Sequence, residues 1–248
     1  IENGAAWITL NRPENRNALS AALVNQLYAH LNAANDDDRV RSIVITGKGP
    51  AFCAGADLKS PPGASISGEK SVPYAQVLAA IQDSPKPVIA AVNGAAFAGG
   101  LGLVGAADIV VIADDVICSF SEVRIGVIPA VISVVCLPKL GTHHAMKLFI
   151  TGERFNGLQA ADFGLAHRAV PAEQLIASVN EEVAMINLGG PIAVKECKRL
   201  VRTMAGRPRD EAFAETAKWS VEMFQSNEGA EGMASFREKR KPNWVSQS

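Results

Sequence analysis

Apolar positions along this chain fall into two periods. At Leu19, Leu23, Leu27 and Leu31 the spacing stacks them on one face of a helix, and Ser20 stands where a cap would close its first turn. Elsewhere they run unbroken and β-branched. Residues 6–10, 41–46, 88–92 and 108–113 each read as a strand, and the last three have the composition of strands covered on both faces. Turn signals follow two of them, Asn11-Arg12-Pro13 after the first and Asn93-Gly94 after the third. Helical patterns separate the strands, which predicts an α/β chain with buried, parallel-type strands. Beyond about residue 172 the strands cease. Residues 172–186, 192–204, 209–224 and 228–236 all carry helical patterns. The expected organisation is therefore a core over residues 1–188 and a helical C-terminal region over 189–248. Residues 60–73 are rich in Pro, Gly and Ser without an apolar period and are expected to form a mobile loop. The Asp36-Asp37-Asp38 run is expected in solvent.

Composition changes this picture mainly by exclusion. A length of 248 residues fits one large domain, or one domain with a helical extension. The 24 Lys and Arg residues nearly cancel the 25 Asp and Glu, so no global field draws the chain to nucleic acid or an anionic membrane, and neither partner is expected. No apolar run reaches the roughly 18 residues that would span a bilayer. The opening residues lack a basic segment followed by an apolar core, so they are not expected to be a signal peptide. Cys53, Cys118, Cys136 and Cys197 form no C-x-x-C pair and have no histidine at zinc spacing. Reduced thiols in a cytoplasmic protein are the expectation. His30, His143, His144 and His167 show no metal spacing with carboxylates, so they read as structural or surface residues and no metal is expected.

Three constellations can carry chemistry. Two are glycine-rich turns, each after a predicted strand: Phe52-Cys53-Ala54-Gly55-Ala56-Asp57-Leu58-Lys59 and Asn93-Gly94-Ala95-Ala96-Phe97-Ala98-Gly99-Gly100-Leu101-Gly102. Small residues let a backbone approach a ligand closely, and a helix starting at Gly99 would aim free N–H groups at it. Neither turn is a dinucleotide fingerprint or a phosphate-binding loop. Either alone is equally explained by tight packing of strand against helix. The third is Phe120-Ser121-Glu122-Val123-Arg124-Ile125-Gly126-Val127-Ile128-Pro129, which sets one carboxylate in an apolar segment. Alone, Glu122 reads as a surface residue or a partner of Arg124.

In this order the motifs resemble the crotonase (enoyl-CoA hydratase/isomerase) superfamily. The resemblance extends through Leu10-Asn11-Arg12-Pro13, Asn17-Ala18-Leu19, Lys86-Pro87-Val88, residues 148–154, and the ending Glu231-Gly232-Met233-Ala234-Ser235-Phe236-Arg237-Glu238-Lys239-Arg240-Lys241-Pro242-Asn243-Trp244. It implies a spiral of β-β-α units with a helical C-terminal region, assembled as a homotrimer or a dimer of trimers. It implies an acyl-CoA thioester whose carbonyl oxygen lies between the backbone N–H groups of Ala56 and Gly99, with Glu122 as general acid/base. CoA, part of the substrate rather than a cofactor, would run along Ala54, Ala56, Asp57, Leu58 and Lys59. Arg16 would meet a phosphate, and Phe236 and Lys239 would reach the nucleotide end of a CoA in the same or a neighbouring subunit.

One position departs from the pattern. The family's hydratases use two glutamates, and the second falls on Gly102. Ala98 also replaces a common glycine. A single carboxylate can still hydrate or isomerise if its pKa is lifted, a task expected of Val123, Ile125, Val127 and Ile128. Gly102→Glu is expected to help hydration where the pocket has room. Residues 121–133, with Gly102, look like bacterial methylglutaconyl-CoA hydratase-like members, which points to a branched or unusual enoyl-CoA. Alternatives are another crotonase reaction (isomerase, hydrolase or decarboxylase), or a weakly catalytic acyl-CoA or RNA binder using Lys195, Arg199 and Arg202 on one helical face.

Overall fold

The computed structural model describes residues 1–59 and 71–245; most of the expected loop at 60–73 lies outside the described residues. Nine strands and nine α-helices are found among them. The strands are β1 (Ala5–Leu10), β2 (Ser42–Gly47), β3 (Ala51–Cys53), β4 (Val88–Val92), β5 (Ala95–Phe97), β6 (Ile109–Ala113), β7 (Ile117–Ser119), β8 (Arg154–Asn156) and β9 (Arg168–Val170). The helices are α1 (Ala21–Asp36), α2 (Tyr74–Asp83), α3 (Gly99–Ala106), α4 (Ala130–Thr151), α5 (Gly157–Asp162), α6 (Leu175–Leu188), α7 (Pro191–Met204), α8 (Arg209–Gln225) and α9 (Asn227–Glu238).

The long strands form one parallel sheet in the order β1-β2-β4-β6-β9. The short ones form a second, β3-β5-β7-β8, parallel except at the β7/β8 edge. Each β-β-α turn of the chain, β2-β3-α2 and then β4-β5-α3, adds one strand to each sheet, which is the spiral expected above. Alternation along the long strands divides the interior in two. Ile43, Ile45, Val88, Ala90, Val110 and Ile112 face the main core beneath α1 to α4. Val44, Ile89, Ala91 and Val111 face the other way, onto Leu175, Val179 and Val183 of α6. Both faces are thus covered, and β2 and β4 read as continuous apolar runs for that reason.

Helix α1 begins where the sequence predicts. Ser20 accepts from the Leu23 N–H at 3.3 Å, and Leu23, Leu27 and Leu31 are buried. Helix α4 breaks direction at Gly141, whose φ of 64° suits glycine. Asp36 and Asp38 are in solvent as expected, although Asp36 ends α1 rather than lying in a loop; Asp37 is half-buried and chelates Arg39, which holds it to a pKa of about 2.

The C-terminal helices are tied to the core by polar contacts. The Glu228 carboxylate accepts from the Ile192 and Ala193 N–H groups at 2.9 and 2.7 Å, closing the open N-terminus of α7 from another helix. Arg41 donates to the Gly189 and Trp244 carbonyls, and the Trp244 indole donates to Leu188 O at 3.1 Å. Arg240 forks onto Glu231 at 2.6 and 2.9 Å. These bonds fold the chain end back onto the core.

Candidate active site

The first glycine turn leaves β3 and is clamped on both sides. Ala54 N–H donates to Arg16 O at 3.0 Å, Leu19 N–H to Gly55 O at 2.7 Å, and Asp57 N–H to Leu19 O at 3.1 Å. Leu19 and Ala56 sit opposite each other in this one-residue parallel bridge. That geometry uses the amides on either side of Ala56 and leaves its own N–H without a backbone acceptor among the described residues. Gly55 makes the bend at φ +89°.

The second turn leaves β5, the hydrogen-bonded neighbour of β3. Ala98 N–H donates to Ser119 O at 3.0 Å, and α3 starts at the next residue. Gly99 is its first position, so its N–H has no partner within the helix. Ala98 sits at φ 47°, ψ −119°, a conformation that favours glycine and costs an alanine about 1–3 kcal/mol. Its ψ sets the plane of the Ala98–Gly99 peptide and hence the direction of the Gly99 N–H. The alanine fits, as expected, but under strain.

The two turns abut. A Cβ added to Gly55 would lie 2.9 Å from Ala98 Cβ and 3.4 Å from Gly99 N. A Cβ added to Gly99 would lie 3.7 Å from Gly55 Cα. The absence of a side chain at Gly55 allows this approach, which brings the Ala56 and Gly99 segments together.

Glu122 lies on a 3-10 turn, Ser121–Ile125, whose end is set by Gly126 at φ 76°. Its carboxylate turns inward, and the groups that sense its charge are Tyr74 and Cys136. One oxygen, Oε2, is buried without a hydrogen-bond partner. Burial pushes the Glu122 carboxyl above the ordinary value of 4.5, opposed by its own backbone N–H. The residues expected to desolvate it do not. Val123, Ile125, Val127 and Ile128 are 37, 61, 50 and 74% exposed, because a tight turn splays consecutive side chains outward. An apolar cavity of about 490 Å³ opens beside them, lined by Val123, Ile128, Leu137, Met146 and Phe149, and none of Ala56, Gly99 or Glu122 lines it.

The space at Gly102 is filled from elsewhere. A Cβ there would meet Ile132 Cγ2 at 2.5 Å and the Tyr74 hydroxyl oxygen at 3.0 Å. Tyr74 opens α2, and its hydroxyl donates to Gly99 O at 2.5 Å. No period or motif in the sequence marks Tyr74, because it stands alone at the start of a helix after a loop.

A family model described as enoyl-CoA hydratase/isomerase matches residues 1–247. The chain belongs to that family. Among its relatives, the enoyl-CoA hydratase EchA19 of Mycobacterium tuberculosis is 32% identical, covering 96% of this chain and 91% of its own. The carnitinyl-CoA dehydratase of Proteus mirabilis is also 32% identical, covering 96 and 93%. A solved enoyl-CoA hydratase of Mycobacterium smegmatis superposes with a TM-score of 0.88 at 31% identity, covering 99 and 97%. The enoyl-CoA hydratase/isomerase family is thus reached from the motifs and from the fold alike.

Around this crotonase-type site the other expected residues are placed unequally. Leu58 and Lys59 are exposed and continue from Ala56, in reach of a ligand lying along the turn. The Asp57 side chain is occupied instead: it accepts from Arg12 at 3.3 Å and from Lys59 N–H at 3.1 Å, so it shapes the turn. Arg16 is exposed, with a left-handed backbone whose carbonyl holds Ala54. Phe236 is 85% exposed on α9 and Lys239 ends that helix at φ 54°. The basic stripe on α7 is partly engaged: Arg199 stacks 4.8 Å from the Trp219 ring and pairs with Glu196, and Arg202 reaches Asp108 at 3.5 Å. His167 is structural, its Nδ1 accepting from Val110 N–H at 3.1 Å.

Proposed function

We propose that this protein adds water across the double bond of an enoyl-CoA thioester, with Glu122 as general acid/base and the Ala56 and Gly99 amides as an oxyanion hole. The observation that carries the reading is Glu122: an inward carboxylate with a raised pKa and an unpartnered oxygen, in a chain whose two free amides lie on abutting turns. Attack at the β-carbon drives the double-bond electrons into the thioester, and the resulting enolate oxygen needs preorganised donors. One such donor is typically worth about 2.7–4 kcal/mol. Glu122 takes the proton from the attacking water and returns it to the α-carbon. This chemistry needs no resident cofactor or metal, since CoA arrives with the substrate. The CoA runs along Ala54, Ala56, Leu58 and Lys59, with Arg16 at a phosphate. The likeness of residues 121–133 and Gly102 to methylglutaconyl-CoA hydratase-like members makes a branched enoyl-CoA the first substrate to try beside crotonyl-CoA.

Residues 189–248 act in this reading as an oligomerisation region of a homotrimer or dimer of trimers. Val201, Phe213, Phe224 and Phe236 support it, being 73, 68, 65 and 85% exposed, more apolar surface than a lone subunit usually leaves in water. Phe236 and Lys239 then meet a neighbour's CoA. Four free cysteines, three of them buried, support a reducing, cytoplasmic setting. No helix among the described residues is long and apolar enough to cross a membrane.

Gly102 favours a second reading, double-bond isomerisation by the lone carboxylate. Purified protein with crotonyl-CoA decides between them. Hydration bleaches the conjugated absorbance and adds the mass of one water. Isomerisation of a 3-enoyl-CoA creates conjugation and leaves the mass unchanged. Glu122→Gln that hydrates as fast as wild type would overturn the Glu122 mechanism.

A further inference from the structure

Gly102 leaves the site one acceptor short for a water held between two side chains, and the geometry points to Tyr74 as the second acceptor. We infer that the Tyr74 hydroxyl oxygen and the Glu122 carboxylate together hold the nucleophilic water. The inference rests on the hydratase reading above.

Tyr74 Oη lies 3.0 Å from where a side chain at 102 would begin, so it fills the space such a side chain would enter. Ile132, at 2.5 Å from the same point, walls the other side. Tyr74 is half-buried as a residue, with its hydroxyl end inward, and the Glu122 charge acts on it from nearby.

A phenol has one proton to give, and Tyr74 gives it to Gly99 O at 2.5 Å. That bond commits the proton and fixes the ring. Burial holds the phenol well above its ordinary pKa of 10, so it stays protonated. With its proton given to Gly99 O, the phenol oxygen has its lone pairs left to accept from a water. Glu122 Oε2, the one buried carboxylate oxygen without a partner among the described residues, accepts the water's second proton. A water held by both protons presents a lone pair to the substrate. As the new C–O bond forms at the β-carbon, one water proton passes to Glu122 and then to the α-carbon. The other stays on the product hydroxyl, hydrogen-bonded to Tyr74, which neither gains nor loses a proton.

The test separates this role from support of the oxyanion turn. Gly99 O keeps its ordinary helical partner, the Leu103 N–H, when the phenol is removed. Tyr74→Phe is compared with wild type in hydration of crotonyl-CoA and in exchange of the α-protons of butyryl-CoA with D2O. Exchange needs the oxyanion amides and Glu122 but no attacking water. The expected result is a kcat for hydration lowered about ten- to a hundredfold, the scale of one hydrogen bond to a reacting group. KM and the exchange rate stay within about threefold of wild type, on the scale of experimental scatter. Hydration within twofold of wild type overturns the inference, and so does an equal loss of hydration and exchange, since Tyr74 would then act on the turn. Tyr74→Met carries the same expectation if the Phe variant does not fold. Wild-type protein that leaves crotonyl-CoA unchanged overturns the hydratase reading itself, which is a separate result.

Discussion

Lys198 Nζ lies 2.6 Å from Asp108 Oδ2, and the two side chains are only 8 and 19% exposed. The same carboxylate oxygen accepts from Val88 N–H at 2.8 Å, at the start of β4. Lys198 also donates to Ile81 O at 3.0 Å and Lys86 O at 3.2 Å. One ion pair therefore pins α7, the first C-terminal helix, to the start of the interior strands β4 and β6 of the main sheet. Burial lowers the Lys198 pKa in spite of Asp108. Asp108→Ala leaves that ammonium buried and unpaired, and the expected loss in urea unfolding is about 3–5 kcal/mol. Asp108→Ala combined with Lys198→Met is expected to recover part of it, because the stranded charge is gone.

Glu122→Gln is expected to cut hydration by about 10²–10⁴-fold, the usual worth of a general acid/base. The same variant should be more stable than wild type at neutral pH. A carboxyl whose folded pKa is raised binds its proton more tightly when folded, so its ionisation destabilises the fold as pH rises through that pKa. Below about 4.5 the carboxyl is protonated in both states and the difference vanishes. Thermal melts of the two proteins at acid and neutral pH check both ends.

Because hydration needs the ionised carboxylate, kcat/KM should climb with pH on an acid limb that lies above the ordinary 4.5. Glu122→Asp, less buried against Tyr74, should move that limb downward. A limb at or below 4.5 in wild type would mean that another group sets it.

The sequence led to the expectation that Gly102→Glu helps hydration where the pocket has room, and the structure leaves little room there. The new Cβ would collide with Ile132 Cγ2 at 2.5 Å and crowd the Tyr74 hydroxyl at 3.0 Å. The expected outcome is a destabilisation of about 1–3 kcal/mol with no gain in hydration. Gly102→Glu with Ile132→Ala, which opens the space, is the comparison that shows the clash to be responsible.

Ala98→Gly should relieve the strain at φ 47°, ψ −119°. Glycine returns some of this through the entropy of its unfolded chain, so a net gain of about 0.5–1 kcal/mol is expected. The oxyanion geometry is set by the same dihedral angles in either residue, so kcat should hold within a few-fold.

The sequence made the long strands legible and the short ones not. Residues 43–45, 88–92 and 109–112 are runs of β-branched or small apolar residues, and they are strands because helices cover both faces. Strands β3, β5, β7, β8 and β9 have three residues each, too few for alternation to appear, so β3 and β5 passed as parts of glycine turns. The order read from periodicity was strand-helix-strand, and only the family resemblance supplied the paired strands. At the site, Ala56, Gly99 and Glu122 were reachable because they sit in motifs of fixed order. The burial of Glu122 was assigned to the wrong residues, since neighbours in sequence point outward from a 3-10 turn. Tyr74 and Ile132 come from distant helices and meet only in the folded chain.

The pairing of β3 with β5 has a consequence for how this site tolerates change. The turns that present Ala56 and Gly99 follow adjacent rungs of one ladder, so their separation is set by the strand spacing of about 4.8 Å rather than by any side chain. Replacing residues along either strand leaves that ruler intact. Deleting a single residue between Pro50 and Gly55 slides one turn past the other by about 3.3 Å. Drift in identity is therefore cheap here, and drift in length is not.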